Sequence, residues 1–441
     1  MEYIKNGGNR LSCIWALAFF GATFFIYFDF NIRMIFGYGI LTAFIFMCTV
    51  SQGKLYLIKE KSILLFLVMM ISTFIFLGNG NEGTVEYAIG MDLCAIIAII
   101  YTPQEKQYLN ALKLLFVFSV VFSLYSILMF VFPNLYKSIV SPIISEGARQ
   151  YNAALIRDGY GVALGANAAY IDYVAAVGVI FAVSSILNQI WFIRSQTAQF
   201  AGVIISLMGM LCVNRKGELL GLIIAIIVIF RVQYKRGDRI TRRRTRRFAS
   251  AAVIIALVAC VFLGARGYLL RFYLFFNKIL RNLSNDRVDI TSGRIYIWKY
   301  ALGIFKKNPI LGIGWEQFRA VLPAYDIDTV KVHNNFIQLL CETGVVGFML
   351  IAIPMTALLV ITYCEADGYF KHGGDQKVVK VAYMVSLGMQ VFFFVLDFLD
   401  PCIYKMHFWP IYTISIMSLI FARYYDICEQ MVSFDDLKSE R

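Results

Sequence analysis

Apolar runs of helix length recur along this chain from Leu11 to Phe421, with no block of soluble character between them. A spanning helix needs about 20 mostly apolar residues. Twelve segments qualify: 11–28, 32–50, 62–78, 85–101, 111–132, 166–187, 198–213, 217–231, 248–264, 335–362, 378–397 and 408–424. Composition agrees, because 59% of the residues are hydrophobic and 16% charged, against roughly 45–50% and about 25% in soluble domains. The expected fold class is all-α: one polytopic membrane domain over 1–441 with about twelve transmembrane helices. Lys5 and Arg10 precede the first run, which lacks a small-residue cleavage site and exceeds a signal-peptide core. It reads as the first span.

Positive charge in short loops sets orientation. With the N-terminus inside, the cytoplasmic loops hold Lys54, Lys59 and Lys61, then Lys106 and Lys113, Arg194, and Lys371 with Lys377. The loop 231–247 is the strongest marker, with nine basic residues against Asp238 alone. The short external loop 78–86 carries Glu82 and Glu86 and no base. Both termini are therefore expected in the cytoplasm. The run Arg242, Arg243, Arg244, Arg246 and Arg247 suits contact with an anionic leaflet, and no nucleic-acid motif surrounds it.

Two external segments are longer. The first, 133–165, contains Arg149, Arg157 and Asp158. The second, 265–334, is long enough to escape the charge rule. Its stretch 265–332 holds eleven Lys or Arg against Asp286, Asp289, Glu316, Asp326 and Asp328. A basic external loop is a good receptor for a phosphorylated ligand. The nine cysteines and three histidines show no zinc-ligand spacing.

Within that second loop, Thr291 or Ser292 can cap a helix. Ile297, Trp298, Ala301, Leu302 and Phe305 form an apolar stripe, Lys306 and Lys307 suit the last turn, and Asn308-Pro309 stops it. Such a helix lies in the membrane interface with Arg294 in its first turn. A helix N-terminus favours anions and the guanidinium fork fits phosphate oxygens, although an interfacial anchor would read the same way. Next come a glycine turn, Leu311-Gly312-Ile313-Gly314-Trp315, and His333-Asn334 at the start of span 335–362. Gly344 and Gly347 follow, three apart, as small residues that let a helix pack closely. A neutral imidazole at that boundary can take a proton from a hydroxyl; a structural histidine is the alternative.

A third element is Asn214-Arg215-Lys216-Gly217-Glu218. Only twelve apolar residues, 219–230, follow before Arg231, roughly 18 Å against a core of about 30 Å. Arg215 must snorkel, thin the bilayer or face a polar cavity. Asp92 and Asp172, inside the fourth and sixth spans, are weaker cases that helix–helix hydrogen bonds would explain.

Together these residues resemble the O-antigen ligase and polymerase superfamily. The resemblance rests on Arg294-x-x-x-Trp298, on the sequence Asn-Pro-Ile-Leu-Gly-Ile-Gly over 308–314, and on His333-Asn334 followed after nine residues by Gly344-x-x-Gly347. The superfamily's Ser-Arg-Gly element is echoed by Asn214-Arg215, with asparagine for serine and the glycine displaced to Gly217. Arg157-Asp158-Gly159 with Asn167 is similar to another of its segments. The motif-bearing part covers about 210–350.

The resemblance implies a metal-independent, inverting glycosyltransferase of the bacterial cytoplasmic membrane, without cofactor, that acts in surface polysaccharide synthesis. Its donor would be a polyprenyl-diphosphate-linked glycan, and its acceptor a second glycan, a lipid A core or a protein hydroxyl. Membrane lipids, and polysaccharide chain-length or export proteins, are the further partners implied. Charge gathering on the diphosphate would be met by Arg215 and Arg294, with Arg157 third. His333 would deprotonate or orient the acceptor, and Trp298, Asn334, Arg266 and Arg271 would help hold the substrate. A transporter or flippase for lipid-linked glycan or a small solute is the alternative. It predicts internal repeats and interrupted helices, and no repeat is visible.

Overall fold

The computed structural model describes residues 65–69, 71–73, 105–141, 146–157, 160–162, 169–193, 195–213, 215–236, 242–247, 250, 294–321, 332–374, 376–405 and 408–439. All regular structure among them is helical. The longer helices are α1 (Glu105–Val131), α2 (Glu146–Arg157), α3 (Ala169–Leu187), α4 (Gln196–Val213), α5 (Lys216–Arg236), α6 (Arg294–Lys307), α7 (Asn335–Lys371), α8 (Lys377–Leu396) and α9 (Phe408–Ser439). Five segments are long and apolar enough to cross a membrane, namely Tyr108–Val131, Gln196–Val213, Lys216–Lys235, Asn335–Lys371 and Lys377–Leu396. The apolar helix Asp172–Leu187 is shorter. The spans expected at 11–28, 32–50, 85–101 and 248–264 lie outside the described residues, and 62–78 is described only in part.

A helix that is apolar all round must be buried, and α8 is that helix. Its residues are buried from Val381 through Phe393, and it packs against α9, α5, α7 and α3. α3 in turn touches α1, α4 and α5, so it joins the two halves of the bundle. Where α1 meets α3 and α4 the contact is close: a Cβ on Gly178 would stand 2.2 Å from the Ser119 hydroxyl oxygen, and one on Gly209 would stand 2.5 Å from the Ser123 Cβ. Ser119 and Ser206 share a hydrogen bond across this seam at 3.0 Å. Small residues and short hydroxyls are the means by which helices adhere where lipid supplies no hydrophobic drive.

Two helices run beyond their apolar stretches. α5 has 21 residues, about 31 Å at the usual rise, so it is long enough to bridge a hydrocarbon core although the apolar run within it is shorter. The helix opened by Asn335 was expected to end at 362, and it continues to Lys371.

More consequential is a break inside α7. Gly344 has φ +65° and ψ −167°, which is not helical. The break takes the carbonyls of Cys341 and Glu342, and the N–H groups of Val345 and Val346, out of the helical ladder, and buried groups of this kind need partners. The turn after α6 supplies all four. Ile313 N–H donates to Cys341 at 3.2 Å and Gly314 N–H to Glu342 at 2.8 Å, while Val345 donates to Pro309 at 2.8 Å and Val346 to Ile310 at 3.2 Å. Gly344 was expected to serve helix–helix packing; it instead breaks the helix so that a loop can pair with it. A Cβ there would lie 2.2 Å from the Ile310 carbonyl oxygen, and one on Gly312 (φ +70°) would lie 2.3 Å from the Glu342 carbonyl carbon. Gly344→Ala combines a strained backbone with overpacking, and is expected to destabilise the protein by about 2–5 kcal/mol. Thermal unfolding of the purified protein measures it.

α6 lies against α7 through Ile297, Ala301 and Ile304, which bury with Phe318, Val332 and Cys341. The stripe is the expected one, except that Ile304 joins it while Leu302 is exposed. The helix ends at Lys307, before Asn308-Pro309, with Lys306 and Lys307 in its last turn.

Candidate functional site

The chain direction of the helices sorts their ends. α1, α4 and α8 finish where α3, α5, α7 and α9 begin, so 133–141, 146–157, 160–162, Arg215, 332–334 and 397–405 gather at one end of the bundle. These are the segments that the charge pattern assigns to the external side. At the opposite end Lys377 donates to the Gln189 side chain at 3.4 Å, and Arg244 lies against the same amide.

A polar cluster is built at the first end, beginning with the turn that leaves α8. Asp400 N–H bonds back to Leu396 O, Cys402 N–H to Asp400 O and Lys405 N–H to Cys402 O, with a single 3-10 turn at Cys402–Tyr404. This tight path folds Lys405 back onto Asp400 as an ion pair whose side chains are 6% and 16% exposed. Lys405 Nζ also donates to the Tyr173 hydroxyl at 3.0 Å and sits 5.4 Å from the centre of that ring. The Tyr173 hydroxyl meets Cys402 Sγ at 3.3 Å.

Arg215 enters from the junction of α4 and α5. Its Nη2 donates to the Tyr151 hydroxyl of α2 at 2.8 Å, and its Nη1 lies 3.8 Å from Glu218 Oε1. Burial opposes the guanidinium charge, but Glu218, Tyr151, Asp400 and Asp172 more than offset it and raise the Arg215 pKa. The side chain remains 28% exposed.

His333 comes from the residues that precede α7, in a left-handed backbone conformation with φ +55°. Histidine tolerates that region better than most residues, at a cost of roughly 1–3 kcal/mol that the surroundings must enforce. They do so on three sides. Trp298 Nε1 donates to Val332 O at 2.9 Å. The Asn334 side chain caps α7 by accepting from Ile337 N–H at 3.0 Å and donates to Phe398 O at 3.2 Å. Asn335 N–H reaches Asp397 O at 2.7 Å. Trp298→Phe removes one of these bonds at a net cost of about 0.5–1.5 kcal/mol, so the rate of any reaction that depends on His333 is expected to fall about tenfold or less, with unchanged helicity by circular dichroism.

Asp400 feels the charge of three of these elements. Burial works against its charge, but Lys405 first, and then Arg215 and His333, pull its pKa below the ordinary value. Asp397, one turn earlier, is the counterexample: burial and the charge of Asp400 push it well above the ordinary range, and its carboxylate has no partner among the described residues. The result is a carboxylate paired with Lys405 and within the field of Arg215 and His333, beside a second acid whose charge burial opposes. Such an arrangement can hold an anion against Arg215 and handle a proton at His333. Among the described residues, no group of three or more His, Cys, Asp or Glu is spaced to hold a metal ion.

Of the residues that the sequence pointed to, Arg215 and His333 lie at the same end of the bundle, and both favour the charged form of Asp400. Arg294 is the first residue of α6, four before Trp298 and so on the same helical face. Trp298 and Asn334, expected to touch substrate, both hold the His333 backbone. Arg157 ends α2 exposed, six residues beyond Tyr151. Arg266 and Arg271 lie outside the described residues. Sequence reasoning missed Tyr151, Tyr173, Asp400 and Lys405. The last two had a signal, because two opposite charges share a ten-residue external loop between apolar spans.

Residues 200–352 match the model of the family described as O-antigen ligase. The match takes in Arg215, Arg294, the 308–314 turn, His333 and Gly344, and it ends before Asp400 and Lys405. No curated protein matches the chain. The interlock of the glycine turn with the broken helix, Arg215 and His333 all fall within this matched segment, which is similar to the family described as O-antigen ligase.

Proposed function

We propose that this protein transfers glycan from a polyprenyl-diphosphate donor at the outer face of the bacterial cytoplasmic membrane, by direct inverting displacement. The acceptor hydroxyl oxygen attacks the anomeric carbon as the bond from that carbon to the diphosphate oxygen breaks. The hydroxyl proton passes to His333 and then to solvent or the departing diphosphate. Arg215 and Arg294 meet the charge that grows on the leaving group, because donors aimed at developing charge lower the barrier most. Asp400 holds Lys405 and, with it, sets the local field on His333 and Arg215. The single observation that carries the reading is that Arg215, 28% exposed, stands at the same end of the bundle as His333 and the buried Lys405–Asp400 pair.

The experiment is a transfer assay with purified protein and lipid-linked repeat units, with and without a lipid A core. A ladder of lengths from donor alone identifies a polymerase; a product made only with the core identifies a ligase. Equal rates with and without EDTA are expected, because the cations assigned to the leaving group are side chains. Strict dependence on a divalent ion would remove the arginine account, and uptake of donor without covalent product would favour a flippase.

A further inference from the structure

Glu342 lies in α7 two residues before the break at Gly344 and is fully buried. An ionisable group inside a membrane bundle calls for a role, and this one grips the turn after α6. Its Oε2 accepts the Glu316 N–H at 2.8 Å. Its Oε1 accepts the Phe318 N–H at 3.3 Å and the Gln338 side-chain amide at 3.2 Å. The turn needs that grip, because Glu316 is left-handed with φ +57°, a conformation that its surroundings must enforce. An ionised carboxylate only accepts hydrogen bonds, so it can meet all three N–H donors at once.

The grip reaches the polar cluster through one indole. Trp315, 1% exposed, is flanked by two amides that Glu342 holds: Gly314 N–H on its carbonyl at 2.8 Å and Glu316 N–H on its carboxylate. Fixed from both sides, the indole stacks on the Tyr404 ring, with centroids 4.2 Å apart and planes at 25°. Tyr404 closes the 3-10 turn that packs on α7, and the next residue is Lys405, the cation paired with Asp400. From the other side Trp409 Nε1 donates to the Ile403 carbonyl at 3.2 Å. We infer that Glu342 is a positioning residue: it sets Trp315 against Tyr404 and so fixes the turn that holds Lys405 on Asp400. Its bearing on transfer rests on the reading of the chain as a glycan transferase, in which that pair sets the field on His333 and Arg215.

The test is Glu342→Gln in the full-length purified protein, a change that keeps the side chain's shape. Whichever way the amide is turned, its nitrogen meets one backbone N–H of the turn. Hydrogen exchange is read first, without substrate. The amides of 314–318 and of 400–405 are both expected to exchange about tenfold faster or more, with those of α1 unchanged. In single-turnover transfer the rate at saturating donor is expected to fall about tenfold, with the half-saturating donor concentration within about twofold. In the background Lys405→Met with Asp400→Asn no pair is left to position, so Glu342→Gln is expected to cost no further rate. Trp315→Phe, which leaves the Glu342 bonds in place, is expected to loosen 400–405 and not 316–318. Faster exchange confined to 314–318, or an equal fall in rate with and without the pair, would overturn the inference. Coupled exchange in a protein whose wild type transfers no glycan would refute the enzymatic reading alone. Native transfer by Glu342→Gln, with a wild type that transfers, would refute the positioning role alone.

Discussion

Replacing Arg215 with alanine is expected to slow single-turnover glycan transfer by about 10²–10³-fold, the usual loss when one preorganised donor to developing charge is removed. The guanidinium is held by Tyr151 and Glu218 and stays 28% exposed, so its orientation is set before a ligand arrives. The variant leaves Glu218, 6% exposed, without this cation. Arg215→Ala combined with Glu218→Gln therefore separates lost catalysis from a burdened fold. The double variant is expected to recover thermal stability and remain inactive. Arg215→Lys should recover only part of the rate, because an ammonium is a point charge that cannot grip two oxygens in one plane. His333→Ala is expected to fall with it, because both residues serve the same step.

The second large effect is on stability. Lys405→Met leaves Asp400 buried and ionised, and breaking such a pair costs about 3–5 kcal/mol. Lys405→Met with Asp400→Asn removes both charges and should recover most of the loss, while transfer stays low because the field on His333 and Arg215 has changed. The pair also has a definite pH signature. The Asp400 pKa is lowered in the folded protein, so its contribution is present above the unfolded value near 3.9 and is lost as pH falls through the lower folded one. The Lys405 pKa is raised, so its contribution is full below about 10.4 and is lost only as pH rises through the higher folded value. Thermal midpoints of the native protein should therefore exceed those of the doubly neutral variant by a constant margin across neutral pH, with the margin shrinking in strong acid.

The helices were the legible part of this fold. Lipid imposes a length and a composition on each span, and seven of the twelve expected segments fall on described helices with ends within a few residues, apart from α1, α5, α7 and α9, which extend further. The ends differ because polar residues such as Gln233 continue a helix whose apolar run has stopped. The positions of Arg215 and His333 at helix junctions were legible as well: one stands where an apolar run is too short, the other where a helix begins, while their proposed roles await the transfer assay. What could not be read was partnership across distance. Nothing in the spacing of Asp400 and Lys405 says that they close on each other, or that Tyr151, 64 residues before Arg215, accepts its hydrogen bond. Gly344 was misread because a glycine that admits a neighbouring helix and one that breaks its own helix look alike until the facing loop is seen. Trp298 and Asn334 illustrate the same limit, since residues that touch substrate and residues that fix the base occupy the same motif.

The central claim is that a side-chain cation at position 215 stabilises the diphosphate as it departs. Chemical rescue tests it most directly: release of polyprenyl diphosphate by Arg215→Ala is followed in a single turnover with guanidinium chloride, urea or sodium chloride added at equal, non-denaturing concentration. Saturable recovery with guanidinium, and none with the other two, is the expected result. Wild-type release by the unassisted variant, or equal recovery with urea, would contradict it.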